Sequence, residues 1–537
     1  MKKNLFASFI SVGLYIGFFV IGCSSGTNYT KPKTERKNST APVTIDIAES
    51  KERDMHKIFL ISDIHVMAPE LLEDKNNPKF IEYMKTDPKM LVESPKVLDK
   101  LIEQAIAENV GLVLIAGDLT KDGEYDSHDY VSFELERLRE AGIKTLVIPG
   151  NHDINNPEGV EYKNNGVTEN ADRTTPEEFE DFYYDFGYNE KSEDFENYER
   201  DPNSLSYCCE PIDNIYLVCL DTNSYEDIKA EDTRNQTVGK IRDETIEWMT
   251  PLVQTAKNDG KQVIVMMHHN LIEHFDGESI LESMIMVKDS KKRLQTFFDL
   301  NINLVITGHV HSQDVATVYE NGSKSKRITE ITCSSPITYP CRYNILTFNN
   351  DYTSINFESK QITSIDGMDN YLEVAKNNLQ VGEGIIKWTL DEKKSMIDQY
   401  ASYLMLTGIN YDFRQPTSKI AKDIAGCIGD VGTRLTRLYF GGGEDKNTDS
   451  EIGRDTLKTD VNTTLNNIAA LLIADQQGDS DSQRISNAER RNSLVALVKT
   501  YLKSDKLIDS ICSDKTSFGE IRENHTDDWN TTISLDD

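Results

Sequence analysis

Five apolar runs in the first part of the chain each deliver metal-binding side chains at their carboxyl end. Ile58 to Ile61 leads into Ser62-Asp63-Ile64-His65, Leu112 to Ala116 into Gly117-Asp118, and Thr145 to Ile148 into Gly150-Asn151-His152-Asp153. Val263 to Met267 leads into His268-His269, and Leu304 to Ile306 into Gly308-His309-Val310-His311. Runs of this length read as buried strands. Helical patterns lie between them: the stripe Val97, Leu98, Leu101, Ile102, Ala105, Ile106, then Tyr130 to Ala141 closed by Gly142, Asp243 to Lys257, and Ser290 to Leu300. Alternating strands and helices predict an α/β layout. Open α/β sheets build their sites at the carboxyl ends of strands, where these residues fall.

The residue types suit one chemistry. Side chains two apart on an extended strand end point the same way, so Asp-x-His and His-x-His can each reach one cavity. A carboxylate such as Asp118 can bridge two cations, and a mixed set of imidazole, carboxylate and amide oxygen fits Mn, Fe or Zn without any thiolate. Two such ions polarise a phosphoryl oxygen and generate a nucleophile from water near neutral pH. A single Asp-x-His occurs by chance, and a lone histidine is more often a packing residue. Five pieces in order, each after a predicted strand, are a different matter.

Together these blocks (Asp-x-His, Gly-Asp, Gly-Asn-His-Asp, His, Gly-His-x-His) resemble the calcineurin-like metallophosphoesterases over about residues 54 to 360. The resemblance implies a β-sandwich flanked by helices and two divalent or trivalent metal ions, Mn, Fe or Zn. Asp63, His65 and His311 would hold one ion, Asn151, His268 and His309 the other, with Asp118 bridging. His268 is chosen over His269 because it directly ends its strand. His152 would stabilise the transition state or protonate the leaving oxygen, with Asp153 as the candidate orienter, and the nucleophile would be a metal-bound hydroxide. Two departures stand out. Asn270 occupies the place where the family often has Pro, and Lys121 stands where the related purple acid phosphatases carry a Tyr, so no purple iron-tyrosinate site is expected. His128, His274 and His56 have no assigned role, and surface or structural placement is expected for them.

The amino terminus sets the expected location. Lys2 and Lys3 precede an uncharged run from Leu5 to Ile21 that leads into Val20-Ile21-Gly22-Cys23. A basic start, an apolar stretch and a small residue before the cut describe a secretory signal. The pattern resembles a bacterial lipoprotein signal over 1–22, with Cys23 as the lipidated residue; an uncleaved membrane anchor is the alternative. Residues 23–53 are polar and read as a tether. This predicts an extracytoplasmic, membrane-anchored lipoprotein.

The phosphoesterase domain is expected over 54–365. After residue 311 the pattern becomes strand-only, with hairpins around Asn321-Gly322 and Asn349-Asn350-Asp351. From 366 to 537 stripes around Ile385 to Leu406, Ile420 to Tyr439, Leu465 to Ala474 and Leu494 to Leu502 predict a mainly helical carboxyl-terminal domain. The stretch Met67 to Ser94, with Tyr83, Lys85 and Lys89, is room for a substrate-contacting insertion. Residues 154–201 carry 15 acidic and 4 basic residues, with six aromatics from Phe179 to Tyr188, and read as a solvated acidic insertion whose aromatic helix packs on the core. The eight cysteines do not make a disulfide scaffold in a chain of 537 residues, and structural or free buried thiols are the default.

With 90 acidic against 58 basic residues, the chain is too acidic to track nucleic-acid phosphates, so no nucleic-acid polymer is expected as partner. The expected substrate is a small phosphoester. Gly117-Asp118-Leu119-Thr120-Lys121-Asp122-Gly123 looks like the class III cyclic nucleotide phosphodiesterase branch, which favours a phosphodiesterase acting on cyclic nucleotides or similar diesters. A phosphomonoesterase or nucleotide pyrophosphatase would use the same metals. From another class, a surface binding lipoprotein with a vestigial metal site would account for tether and tail. Against it, all seven ligand positions and His152 hold competent residues.

Overall fold

The computed structural model describes residues 52–85, 87–227, 237–274, 286–320, 325–379, 454–472, 480–502 and 529–535. The signal, Cys23 and most of the tether lie outside the described residues, as do the stripes at 385–406 and 420–439.

Fifteen strands are described: β1 (Asp54–Ile61), β2 (Val110–Ala116), β3 (Lys144–Ile148), β4 (Val160–Tyr162), β5 (Thr168–Asn170), β6 (Glu196–Arg200), β7 (Tyr207–Ile212), β8 (Ile215–Leu220), β9 (Gln262–Met267), β10 (Leu304–Thr307), β11 (Asp314–Tyr319), β12 (Arg327–Thr332), β13 (Arg342–Phe348), β14 (Ser354–Gln361) and β15 (Asn530–Ser534). They form a sheet of order β15-β14-β13-β1-β2-β3, a sheet of order β11-β12-β10-β9-β8-β7-β6, and a small β4-β5 ribbon. Each large sheet has a parallel block: β1-β2-β3 at one side of the first, β8-β9-β10-β12 within the second.

The five predicted runs are β1, β2, β3, β9 and β10, and the predicted helices appear as Ser94–Ala107, Tyr125–Glu140, Asp243–Asn258 and Ser290–Asp299. The apolar stretches of these strands are buried because both faces are covered, as parallel strands require. In β9 Ile264 and Met266 face the core shared by the two sheets, while Val263 and Val265 face a second cluster with Met249, Val253, Leu294 and Phe297 of the outer helices. The architecture is therefore an α/β sandwich flanked by helices. β6, β7 and β8 extend the second sheet beyond what the sequence pattern suggested, since the aromatics before them draw attention to a helix instead.

The acidic insertion behaves as its composition predicts. A Thr175–Glu178 capping box starts the helix Pro176–Phe182, and Phe179, Phe182 and Tyr183 are buried. Both expected hairpins form, as β11 with β12 and β13 with β14. The five described cysteines, Cys208, Cys209, Cys219, Cys333 and Cys341, are buried free thiols.

Within the carboxyl-terminal span the helices Tyr371–Asn378, Arg454–Leu472 and Asp481–Leu502 are described, and β15 then pairs antiparallel with β14 from Ser354↔Ser534 to Glu358↔Asn530. Ile533 and Leu535 are buried in the main core, and Asn303 Nδ2, before β10, donates to Leu535 O at 2.8 Å. Removing residues 529–537 therefore exposes the β14 edge and unburies two aliphatic side chains, each contributing about 1.5–3 kcal/mol. The truncated chain is expected to unfold at clearly lower denaturant and to aggregate. An unchanged midpoint would show that β15 contributes nothing to the sandwich.

Candidate metal centre

The strand ends meet because their connecting residues tolerate close approach. A Cβ on Gly308 would fall onto Ser62 Oγ and Asp63 Oδ2, and one on Gly150 onto the Asp118 backbone and carboxylate. These two glycines let β10 close on β1 and β3 on β2. Asp63, His65, Asp118, His309 and His311 all have positive φ, between 38° and 70°. Non-glycine residues held there cost free energy, and such positions concentrate at functional sites.

The structure brings six of the predicted ligands, together with His152, into three groups whose donor atoms lie within 4.8 Å of one another: Asp63, His65 and His311; His65, Asp118 and His152; and Asp118, His268 and His309. His65 Nε2 and His311 Nε2 are 3.0 Å apart, with Asp63 Oδ1 3.5 Å from His311 Nε2. Asp118 Oδ2 lies between the groups, 3.6 Å from His65 Nε2 and 3.3 Å from His268 Nε2. His268 Nδ1 is 2.8 Å from Ala116 O, and its Nε2 is 3.1 Å from Asn151 Oδ1. An imidazole nitrogen, an amide oxygen and a carboxylate oxygen thus converge, a donor set of the kind that holds a cation. Asn151 Nδ2 and His65 Nδ1 are buried without partners. The donor set fits two ions.

The electrostatics divide the imidazoles: against the cost of burial, Asp118 pushes His268 up to about 9. Burial and the charge of Lys89 hold His65 well below the usual imidazole range, so it stands as a neutral ligand. Against the cost of burial, His268, His152 and His65 hold Asp118 well below the usual carboxylate range.

His269 is turned away from Asp118. Its Nδ1 is 2.8 Å from Thr222 Oγ1 and its ring packs 4.5 Å from that of His309.

His152 lies at the rim of this centre, edge-on to His65 at 4.9 Å. Its backbone N–H donates to Asp118 Oδ1 at 2.8 Å, and its Nδ1 is 2.9 Å from Asp122 Oδ1. Burial pulls its pKa down, but Asp118 and Asp122 outweigh that and push it up to about 9. The expected orienter, Asp153, is instead engaged elsewhere. It accepts from Gly150 N at 2.7 Å, Leu119 N at 3.2 Å, Thr120 N at 2.9 Å and Thr120 Oγ1 at 2.9 Å, tying the Gly-Asp loop to the Gly-Asn-His loop. Asp122 takes the orienting position because four residues after Asp118 the chain turns back under His152. Lys121, buried, pairs with Asp122 and lies 3.6 Å from Glu124.

His128 and His274 are structural, as expected, but buried. His128 Nδ1 is 2.7 Å from Tyr183 Oη and its Nε2 2.8 Å from Asp153 O, so the acidic insertion braces the site from behind. His56 stacks on Tyr352. In the insertion at 67–94, Lys85 pairs with Glu82 at the surface, while Lys89 turns inward and lies 3.3 Å from Asp87 Oδ2.

An α/β sandwich with a two-ion ligand set at its strand ends is a metallophosphoesterase fold. Residues 56–313 match the model of the calcineurin-like phosphoesterase family, a family dependent on a dinuclear metal centre. No curated protein matches the chain. Among solved structures, a dimetal phosphatase from Danio rerio is similar at 13% identity and a TM-score of 0.39, over 57% of this chain and 96% of that one. A purple acid phosphatase from yellow lupin (Lupinus luteus) seeds is similar at 15% identity and a TM-score of 0.37, over 57% of this chain and 52% of that one.

Proposed function

We propose that the chain is a dinuclear-metal phosphodiesterase acting on cyclic nucleotides or similar small phosphodiesters. The observation that carries the hydrolase reading is the convergence of metal-type ligands from Asp63, His65, Asp118, Asn151, His268, His309 and His311; the diester preference is supported by Gly117-Asp118-Leu119-Thr120-Lys121-Asp122-Gly123. When bound, the two ions supply Lewis-acid polarisation of the phosphoryl group and a nucleophile from water. The protein's own residues do the rest. Asp118 balances charge between the two positions. His152, with Nδ1 held by Asp122, keeps a proton on Nε2 for the leaving oxygen, and the raised pKa favours that charged form. His65 and His268 stay oriented by burial and by Ala116 O.

A phosphomonoesterase or nucleotide pyrophosphatase is the second reading, and Lys89 favours it. Its charge acts on both His65 and His152, which suits a substrate with an additional negative charge. The test is hydrolysis of bis(p-nitrophenyl) phosphate beside p-nitrophenyl phosphate by the full chain reconstituted with Mn or Zn, with Asn151→Ala as the blank. Faster, metal-dependent cleavage of the diester is the expected result. Preference for the monoester would move the assignment to the second reading.

The location is part of the same proposal: a lipoprotein held at an extracytoplasmic membrane face through Cys23. Lys2, Lys3, the apolar run and the Val20–Cys23 sequence support it. Among the described residues no helix is long and apolar enough to cross a membrane. Cys23→Ser is expected to move the chain from the membrane to the soluble fraction, and retention on the membrane would contradict lipid anchoring at this residue.

A further inference from the structure

Behind the His268 and His309 side of the centre lies a buried polar network that none of the five blocks contains. Glu330, on β12, is fully buried. Its Oε2 accepts the backbone N–H groups of Leu271 and Ile272, both at 3.0 Å. Its Oε1 accepts from Asn270 Nδ2 at 2.9 Å and Thr307 Oγ1 at 3.0 Å, and lies 3.1 Å from His274 Nε2. The other nitrogen of His274 is 2.7 Å from Asp314 Oδ2. With a carboxylate on each side, and against the cost of burial, the imidazole is pushed up to about 10, so it carries a proton on both nitrogens at neutral pH.

The partners have a common property: each flanks a predicted ligand. Asn270, Leu271, Ile272 and His274 form the loop that leaves β9 directly after His268 and His269. Thr307 is the last residue of β10, two before His309, and Asp314 opens β11 three residues after His311. Gly308 N also donates to His268 O at 2.9 Å, so the two ligand stems are in direct contact and Glu330 clamps both. A single carboxylate accepting from five groups in the dry interior holds them with charge-assisted bonds, which exceed neutral ones in strength. Groups that orient ligands from behind set metal affinity as well as geometry.

We propose that Glu330 is a positioning residue for the metal position formed by Asn151, His268 and His309: it fixes the spacing of the two imidazoles by gripping the stems of both ligand loops. This rests on the dinuclear reading of the site given above. Gln at 330 keeps the shape but cannot keep the bonds. Whichever way its amide is turned, an NH2 faces either two backbone N–H groups or the Asn270 amide and the His274 N–H.

The test is titration of the metal-free full chain with Mn(II) alone, followed by calorimetry and by the magnetic coupling of the Mn pair in electron paramagnetic resonance. The wild-type chain is expected to take up two ions and show coupling. Glu330→Gln is expected to keep one ion at wild-type affinity, to bind the other about 10- to 100-fold more weakly, and to lose the coupled signal at limiting Mn. His274→Gln, a milder lesion of the same network, is expected to shift the same ion by less and serves if Glu330→Gln does not fold. Phe297→Leu, on the buried face of the helix Ser290–Asp299, is the control for general loosening and is expected to leave both affinities in place. Two wild-type affinities in Glu330→Gln, or equal weakening of both, would overturn the positioning role. A wild-type chain that takes up fewer than two ions would instead overturn the dinuclear reading itself.

Discussion

Replacing Asp118 by Asn is expected to remove metal and hydrolysis together. Asp118 Oδ1 accepts the backbone N–H of His152 at 2.8 Å, while Oδ2 faces His65 Nε2 and His268 Nε2. In the variant the amide oxygen goes to the His152 N–H, because that donor is fixed. The NH2 is then turned toward the two imidazoles, where it repels the cations that the carboxylate attracted. Size is unchanged, so the sandwich should fold as before. Loss of an outer partner of a ligand typically costs 10- to 100-fold in metal affinity or activity, and loss of a bridging ligand should cost more than that. Elemental analysis of the purified variant, beside its rate on bis(p-nitrophenyl) phosphate, checks both halves. Two retained ions per chain would take Asp118 out of the bridging position.

His152→Ala is expected to separate what Asp118→Asn destroys at once. The backbone N–H that reaches Asp118 survives the substitution, and the ring it deletes is held by Asp122 and stands edge-on to His65. Both ions should stay. Turnover should fall by roughly 10²–10⁴, the range of a positioned general acid. The loss should be smaller for p-nitrophenolate, a leaving group that needs little protonation, than for an alkyl alcohol. An equal loss on both leaving groups would remove proton donation from His152, and loss of metal would move it into the ligand set.

The centre could be read from the chain because its residues sit on a regular frame. Each ligand follows a strand whose apolar run is continuous, and the runs are continuous because parallel strands are buried on both faces. Asp63, Asp118 and His309 therefore announce themselves by position. The supporting residues do not. Asp122 lies in a turn, and nothing in its spacing says that it, and not Asp153, meets His152 Nδ1. Glu330 reads as one polar residue in an antiparallel hairpin strand, where a charged side chain is ordinarily solvated. Only the way β12 packs beside β10, Thr307↔Thr332, shows it to be buried under two ligand loops. Such contacts are long-range and carry no local pattern.

The pairing of β14 with β15 has a consequence for synthesis. Ile355 and Ile533 are partners across a separation of nearly the whole carboxyl-terminal span. The sheet that holds β1, the first of the described strands to leave the ribosome, stays incomplete until residues 530–534 have emerged. Throughout that interval β14 presents an unpaired edge, the situation in which nascent chains associate with one another. The ligands for two ions can assemble early, since β10 and its loop precede residue 312, but their scaffold closes only once β15 has emerged. A chain stalled anywhere between β14 and β15 would carry a nearly complete centre on an unfinished sheet.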